Sequence, residues 1–144
     1  GFPSSTVIQT GSLQSGTATS LTADDNNYYA VNSNTAGTRI TSWYGSFIGV
    51  SSNLSNLKIT YKGKNSRTAT QTIAIWSWTT SAWVQLNSTS VSTSEVPISN
   101  LSPTGTLSSF VSPTGELRIQ VQNTRSSQSF VTSGELLQIV YDIP

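Results

Sequence analysis

The chain has 144 residues, enough for one domain with its own core, and its six acidic and seven basic residues leave a net charge of +1. Charges this sparse form no basic stripe to hold a phosphate backbone, so nucleic acid is not an expected partner. With no cysteine, methionine or histidine, thiol catalysis, zinc ligation by Cys or His and a histidine-based triad are excluded.

Serine (27) and threonine (21) make up a third of the chain, so solubility rests on neutral hydrogen-bonding groups. Four Trp, five Tyr and four Phe among alternating Val, Ile and Leu argue for a folded chain over low-complexity disorder. Strand signals recur about every ten residues, with no sustained helical periodicity and no fixed repeat. Thr6–Leu13 and Thr17–Leu21 are short strands joined at Ser15-Gly16. Ala23–Asn27 (ADDNN) is a turn, because Asp and Asn tolerate left-handed backbone and bond their own chain. Tyr28–Ser33 is a strand, and Thr38–Val50 is a long one in which Gly45 marks a bulge or a close backbone approach. Leu54–Lys62 alternates cleanly, with Leu57, Ile59 and Tyr61 inward, and Gly63–Ser66 turns the chain.

Thr70–Asn87 (TQTIAIWSWTTSAWVQLN) reads as a hairpin holding three of the four tryptophans. A tip at Thr80-Ser81 sets Trp78 opposite Trp83, Trp76 opposite Gln85 and Ile75 opposite Leu86. One face is then aliphatic (Ile73, Ile75, Val84, Leu86), and the other carries Trp76, Trp78, Trp83 and Gln85. Val91–Ile98 is an edge strand because Pro97 cannot donate to a ladder. The stretch from Ser102-Pro103 to Val111 is one short helical turn, with Ser102 as its cap. Glu116–Asn123 is a strand with Leu117, Ile119 and Val121 inward and Arg118, Gln120 and Gln122 outward. Phe130–Asp142, apolar on both faces through Leu136–Tyr141, closes the chain as a central strand. About nine strands and one helical turn point to a single all-β domain over residues 1–144. The expected architecture is an antiparallel two-sheet β-sandwich, with a jelly roll favoured over an immunoglobulin-like arrangement.

The carboxylates are six: Asp24, Asp25, Glu95, Glu116, Glu135 and Asp142. Glu116 and Glu135 each follow a glycine at a strand start, where solvated carboxylates are common, and no nucleophile elbow or phosphate loop is present, so no enzyme is expected. Asp24 and Asp25, with Asp142, could supply oxygens to a structural Ca2+, although a plain Asx turn explains the first two as well and is preferred. The aromatic face is the sharpest feature. A sugar ring has one apolar C–H face that stacks on indole and a rim of hydroxyls that needs amide or guanidinium partners. Trp76 and Trp78 are candidate stacking residues, and Gln85, Arg118, Gln120 and Gln122 candidate polar partners, if the Arg118 strand adjoins the hairpin. The alternative for Trp78 and Trp83 is a cross-strand pair that only stabilises the hairpin, and Trp43-Tyr44 reads as structural.

Ser20–Val31 (SLTADDNNYYAV), Trp43–Phe47, Leu57–Gly63, Ile75–Leu86 and Gly115–Val121 (GELRIQV) together resemble accessory β-sandwich modules of secreted bacterial enzymes, often carbohydrate-binding modules attached to glycoside hydrolases or polysaccharide lyases. The resemblance implies a β-sandwich and an extracellular setting, and it transfers no binding residues. The expectation is a monomeric, secreted, non-catalytic module that holds a parent catalytic domain in cis on a polysaccharide, with neither membrane nor nucleic acid as partner. The alternative is a structural spacer domain without a glycan ligand. The start at Gly1-Phe2-Pro3 has the look of a module cut from a longer chain or of a processed product.

Overall fold

A computed structural model describes all 144 residues. Ten strands run in chain order: β1 Ser5–Thr10, β2 Ser12–Ser15, β3 Tyr29–Asn32, β4 Arg39–Phe47, β5 Ser55–Asn65, β6 Ala69–Ser77, β7 Ala82–Val91, β8 Val96–Leu101, β9 Leu117–Arg125 and β10 Val131–Asp142. They form two five-stranded sheets, a front sheet ordered β1-β4-β9-β6-β7 and a back sheet ordered β2-β3-β10-β5-β8. Every pairing is antiparallel. This is the expected sandwich of jelly-roll type, with one strand more than the sequence suggested.

Period-2 alternation builds the core. The front sheet turns in Trp43, Phe47, Ile73, Ile75, Leu117, Ile119 and Val121, and the back sheet Tyr29, Val31, Leu57, Ile59, Tyr61, Leu137 and Ile139. Trp43 lies at the centre, edge-on to Tyr29 at 4.9 Å and tilted to Tyr61 at 6.1 Å. The closing strand β10 is central between β3 and β5 as expected, and β8 with Pro97 is the expected edge, but it runs Val96–Leu101 instead of Val91–Ile98 because Val91 still pairs with Ala69 as the end of β7.

Four further local expectations are corrected. The stretch Thr6–Leu13 is not one strand. At Gly11 (φ 106°) the chain leaves the front sheet for the back one, and a Cβ there would stand 2.2 Å from the carbonyl oxygen of Asn32. The supposed strand Thr17–Leu21 is a 3-10 turn over Ala18–Leu21, since the Ser20 hydroxyl accepts the Thr17 N–H at 3.1 Å and the Ser20 N–H bonds Thr17 C=O at 2.9 Å. Gly63 does not turn the chain but continues β5, because the Tyr61 hydroxyl fills the space a Cβ would need, 2.3 Å away. The helical turn is shorter than expected, Leu107–Phe110, and Ser102 caps nothing, its hydroxyl donating instead to Leu57 C=O at 2.7 Å. At Gly45 the close approach holds and the bulge does not: the β4–β9 register is unbroken, and a Cβ would press on Leu137 at 2.8 Å and Pro3 at 3.0 Å.

Candidate functional site

The hairpin turn sets the geometry of the aromatic face. A two-residue turn needs positive φ at its central positions and so favours Gly, Asn or Asp, which Thr80-Ser81 does not provide. The chain instead makes a four-residue loop, Trp78–Ser81, in which only Ser81 is left-handed (φ 52°) and the Ser77 hydroxyl accepts the Thr80 N–H at 3.3 Å. This shifts the register by two residues: Trp76 faces Trp83, Ala74 faces Gln85 and Ile75 faces Val84. Leu86 is the extra residue of a bulge between Ile73 and Ala74 and packs half-buried against the core. Trp78 is therefore a loop residue, not a second platform on the strand face.

The strand β9 does adjoin the hairpin, with Ile75 opposite Ile119 and Ala74 opposite Gln120, and β4 flanks it with Tyr44 opposite Gln120. The outer face of the front sheet thereby brings together all six sequence-predicted ligand residues: Trp76, Trp78, Gln85, Arg118, Gln120 and Gln122. Two more rings join them. Trp83 lies 5.1 Å from Trp76 at 66° and 5.8 Å from Tyr44. Trp78 stands edge-to-face to Trp76 at 6.4 Å, and its backbone N–H is tied to Ser109 C=O at 2.8 Å. All four rings are half-buried.

Arg118 is fixed among them. Its Nε and Nη2 donate to the two oxygens of Glu116 at 2.9 and 3.1 Å, and the Ser46 hydroxyl donates to Glu116 Oε2 at 2.6 Å. Its guanidinium lies 4.6 Å from the Trp78 ring centre and 5.0 Å from that of Tyr44. The hydrogen bonds from Arg118 hold the Glu116 carboxyl below its usual range, and the same pair raises Arg118, so both stay ionised. Beside them Gln120 Nε2 donates to Gln9 Oε1 at 2.7 Å, which also accepts the Ser42 hydroxyl at 3.1 Å. Sequence reading missed Tyr44 and Gln9. Tyr44 was legible, since a neighbour of inward Trp43 must point outward. Gln9 was not, because the irregularity between Ile8 and Thr10 decides its direction.

The carboxylates gather elsewhere. Ligand oxygens of Asp24, Glu95 and Glu135 lie within 4.8 Å of one another on the back-sheet side. A bulge between Gly134 and Leu136 falls at Glu135, which is fully buried beside Asp24 and Glu95 and accepts the Asn26 N–H at 2.6 Å. Lys62 Nζ bridges Asp24 (2.7 Å) and Glu95 (3.2 Å), and Tyr28 OH donates to Glu95. Burial, then the neighbouring Glu95, push the Glu135 carboxyl up to about 7. Hydrogen bonding from Glu135 first, then Tyr28, holds Glu95 at about 2. The expected calcium ligands do not assemble. Asp25 bonds the backbone and side chain of Asn27 at 3.1 Å, as an Asx turn does. Asp142 bonds Asn56 at 2.9 Å, six residues along β10 from Leu136 and so about 20 Å away by strand rise. The cluster is not without a cation, since the Lys62 ammonium bridges Asp24 and Glu95, but Glu135 Oε2 is buried there with no hydrogen-bond partner. The cluster is not built for glycoside hydrolysis. Its oxygens are closer than the roughly 5–9 Å such acids need around a sugar, and Glu135 is closed to solvent.

No protein-family model matches the sequence, and no curated protein matches it. Among solved structures, a CBM4 carbohydrate-binding module superposes with a TM-score of 0.58 at 12% identity, over 96% of this chain and 95% of that one. The module TmCBM61, solved in complex with β-1,4-galactotriose, gives 0.51 at 10% identity over 95% and 87%. The enzymatically active domain of tailspike protein 4 of bacteriophage CBA120 gives 0.52 at 11% identity, this chain spanning 20% of its length. The chain has the fold of carbohydrate-binding modules.

Proposed function

We propose that this domain is a non-catalytic carbohydrate-binding module whose binding surface is the outer face of the front sheet. One observation carries the reading: Tyr44, Trp76, Trp78 and Trp83 gather with Arg118, Gln85, Gln120 and Gln122 on the side of the sheet away from the core. Indole faces take the C–H side of a pyranose, and the amides take its hydroxyls. Glycan binding also fits the fold, which TmCBM61 shares and in which that module holds a galactotriose. A single domain of this kind binds weakly, and it serves by keeping a secreted parent enzyme, carried in cis, close to a polymer.

Native affinity electrophoresis in gels cast with single polysaccharides tests the reading. Retardation by one of them should be lost in Trp76→Ala and Trp83→Ala proteins that still melt cooperatively. Retardation by none, or variants that bind as tightly as the parent, would leave the face as a structural surface, in keeping with a spacer domain.

A further inference from the structure

The polar groups of the outer front face also say what charge its ligand carries. This rests on the glycan-binding reading above. Of the residues there, only Arg118 and Glu116 are ionised, and each is the other's partner. Every lysine lies in β5 of the back sheet, at positions 58, 62 and 64, and every other acid lies in the back sheet or its loops. The remaining arginines, Arg39, Arg67 and Arg125, stand at the far end of the sandwich. Arg125 is seven residues along β9 from Arg118, about 20 Å by strand rise.

Arg118 is not a free cation awaiting an acid. Two of its three nitrogens are bonded to Glu116, whose second partner is Ser46, and its guanidinium carbon lies over the rings of both Tyr44 and Trp78. A uronate or sulfate reaching for it would meet the Glu116 carboxylate first. Displacing that carboxylate would leave a half-buried charge unpaired. What remains open are neutral groups: Gln120 Oε1, whose amide nitrogen is committed to Gln9, and the side chains of Gln85, Gln122 and Thr72. These suit hydroxyls, which both donate and accept.

We infer that the site selects uncharged polysaccharides, with Arg118 acting as a clamp that positions Tyr44 and Trp78 and Glu116 as the group that cancels its charge. The test runs the wild type and Glu116→Gln in native gels containing a neutral polymer (galactan, mixed-linkage β-glucan) or an anionic one (polygalacturonate, alginate), at low and high salt. Wild-type protein should be retarded by a neutral polymer, with an apparent affinity that changes less than about twofold with salt. Its affinity for either anionic polymer should be at least about tenfold weaker. Glu116→Gln, which releases Arg118 from its counter-ion, should gain retardation by the anionic polymers, and high salt should abolish that gain. Tighter wild-type binding to an anionic polymer overturns the inference and leaves glycan binding standing. Binding to no polymer overturns both. A folded Glu116→Gln protein without the gain shows that Glu116 is not the group that keeps anions away, and the wild-type comparison decides the question of charge even if that variant does not fold.

Discussion

Trp43 and Tyr44 are adjacent, and strand geometry sends them to opposite worlds: Trp43 is fully buried between the sheets, while Tyr44 lies on the outer face beside Arg118. The tryptophans should therefore separate cleanly under mutation. Trp43→Ala should cost about 3–5 kcal/mol of stability, read from chemical denaturation. Trp76→Ala and Trp83→Ala should each cost about 1–2 kcal/mol of stability, through the lost aromatic pair, but reduce glycan affinity roughly ten- to a hundredfold by calorimetry or affinity gel. Glu135 gives the other residue-level prediction. Its native pKa of about 7 exceeds the unfolded value of 4.5, so between these pH values the native state holds a proton that the unfolded chain has released, and stability falls as pH rises. Glu95, held at about 2, runs the other way: its contribution is present above 4.5 and lost as pH falls toward 2. With Asp24, Lys62 and Tyr28 as their neighbours, the two place the cluster's greatest stability near its unfolded carboxylate pKa. Between about pH 5 and pH 8 the wild-type Tm should fall by about 2–6 °C. Glu135→Gln, which keeps a hydrogen donor without the titration, should flatten that fall; an unchanged slope would show that Glu135 is ionised throughout.

At the scale of elements, the hairpin shows how much a turn decides. Shortage of Gly, Asn or Asp at its tip lengthens the loop to four residues, moves the register by two and turns Trp78 from a platform into a buttress tied to Ser109. Ser81→Gly relieves the one left-handed residue and should stabilise the domain by about 0.5–1 kcal/mol in a melting experiment, without changing affinity. Local alternation made much of this fold legible: Leu117, Ile119 and Val121 inward with Arg118, Gln120 and Gln122 outward, or the central place of β10. The same alternation put five of the six candidate residues on the outer front face before any neighbour was known, whereas Trp78 reaches that face from a loop. It failed where a non-local contact decides. Gly11 crosses between sheets because the Asn32 carbonyl leaves no room for a Cβ, and a bulge on β10 falls at Glu135, which is buried beside Asp24 and Glu95, far off in sequence. No periodicity carries that information.

The whole molecule divides its chemistry by sheet. Aromatic rings and amides occupy the outer front face, while the lysines and nearly all the acids occupy the back sheet and its loops. The back-sheet cluster carries its own cation in Lys62, so a chelator should leave the wild-type Tm within about 1 °C. Lys62→Met, which strips that cation from three carboxylates, should lower the Tm and make it rise again with added calcium; a chelator-sensitive wild type would show that the ammonium does not suffice. The central claim is that a polysaccharide lies across the front face. Indole N–H resonances in a heteronuclear NMR titration test it directly, because the chain has four tryptophans and one of them, Trp43, is an internal control sealed in the core. Titration with a neutral oligosaccharide taken from a polymer that retards the protein should move the signals of Trp76, Trp78 and Trp83 and leave that of Trp43 in place. Saturable binding that moves none of the three would contradict the account and place the ligand elsewhere on the sandwich.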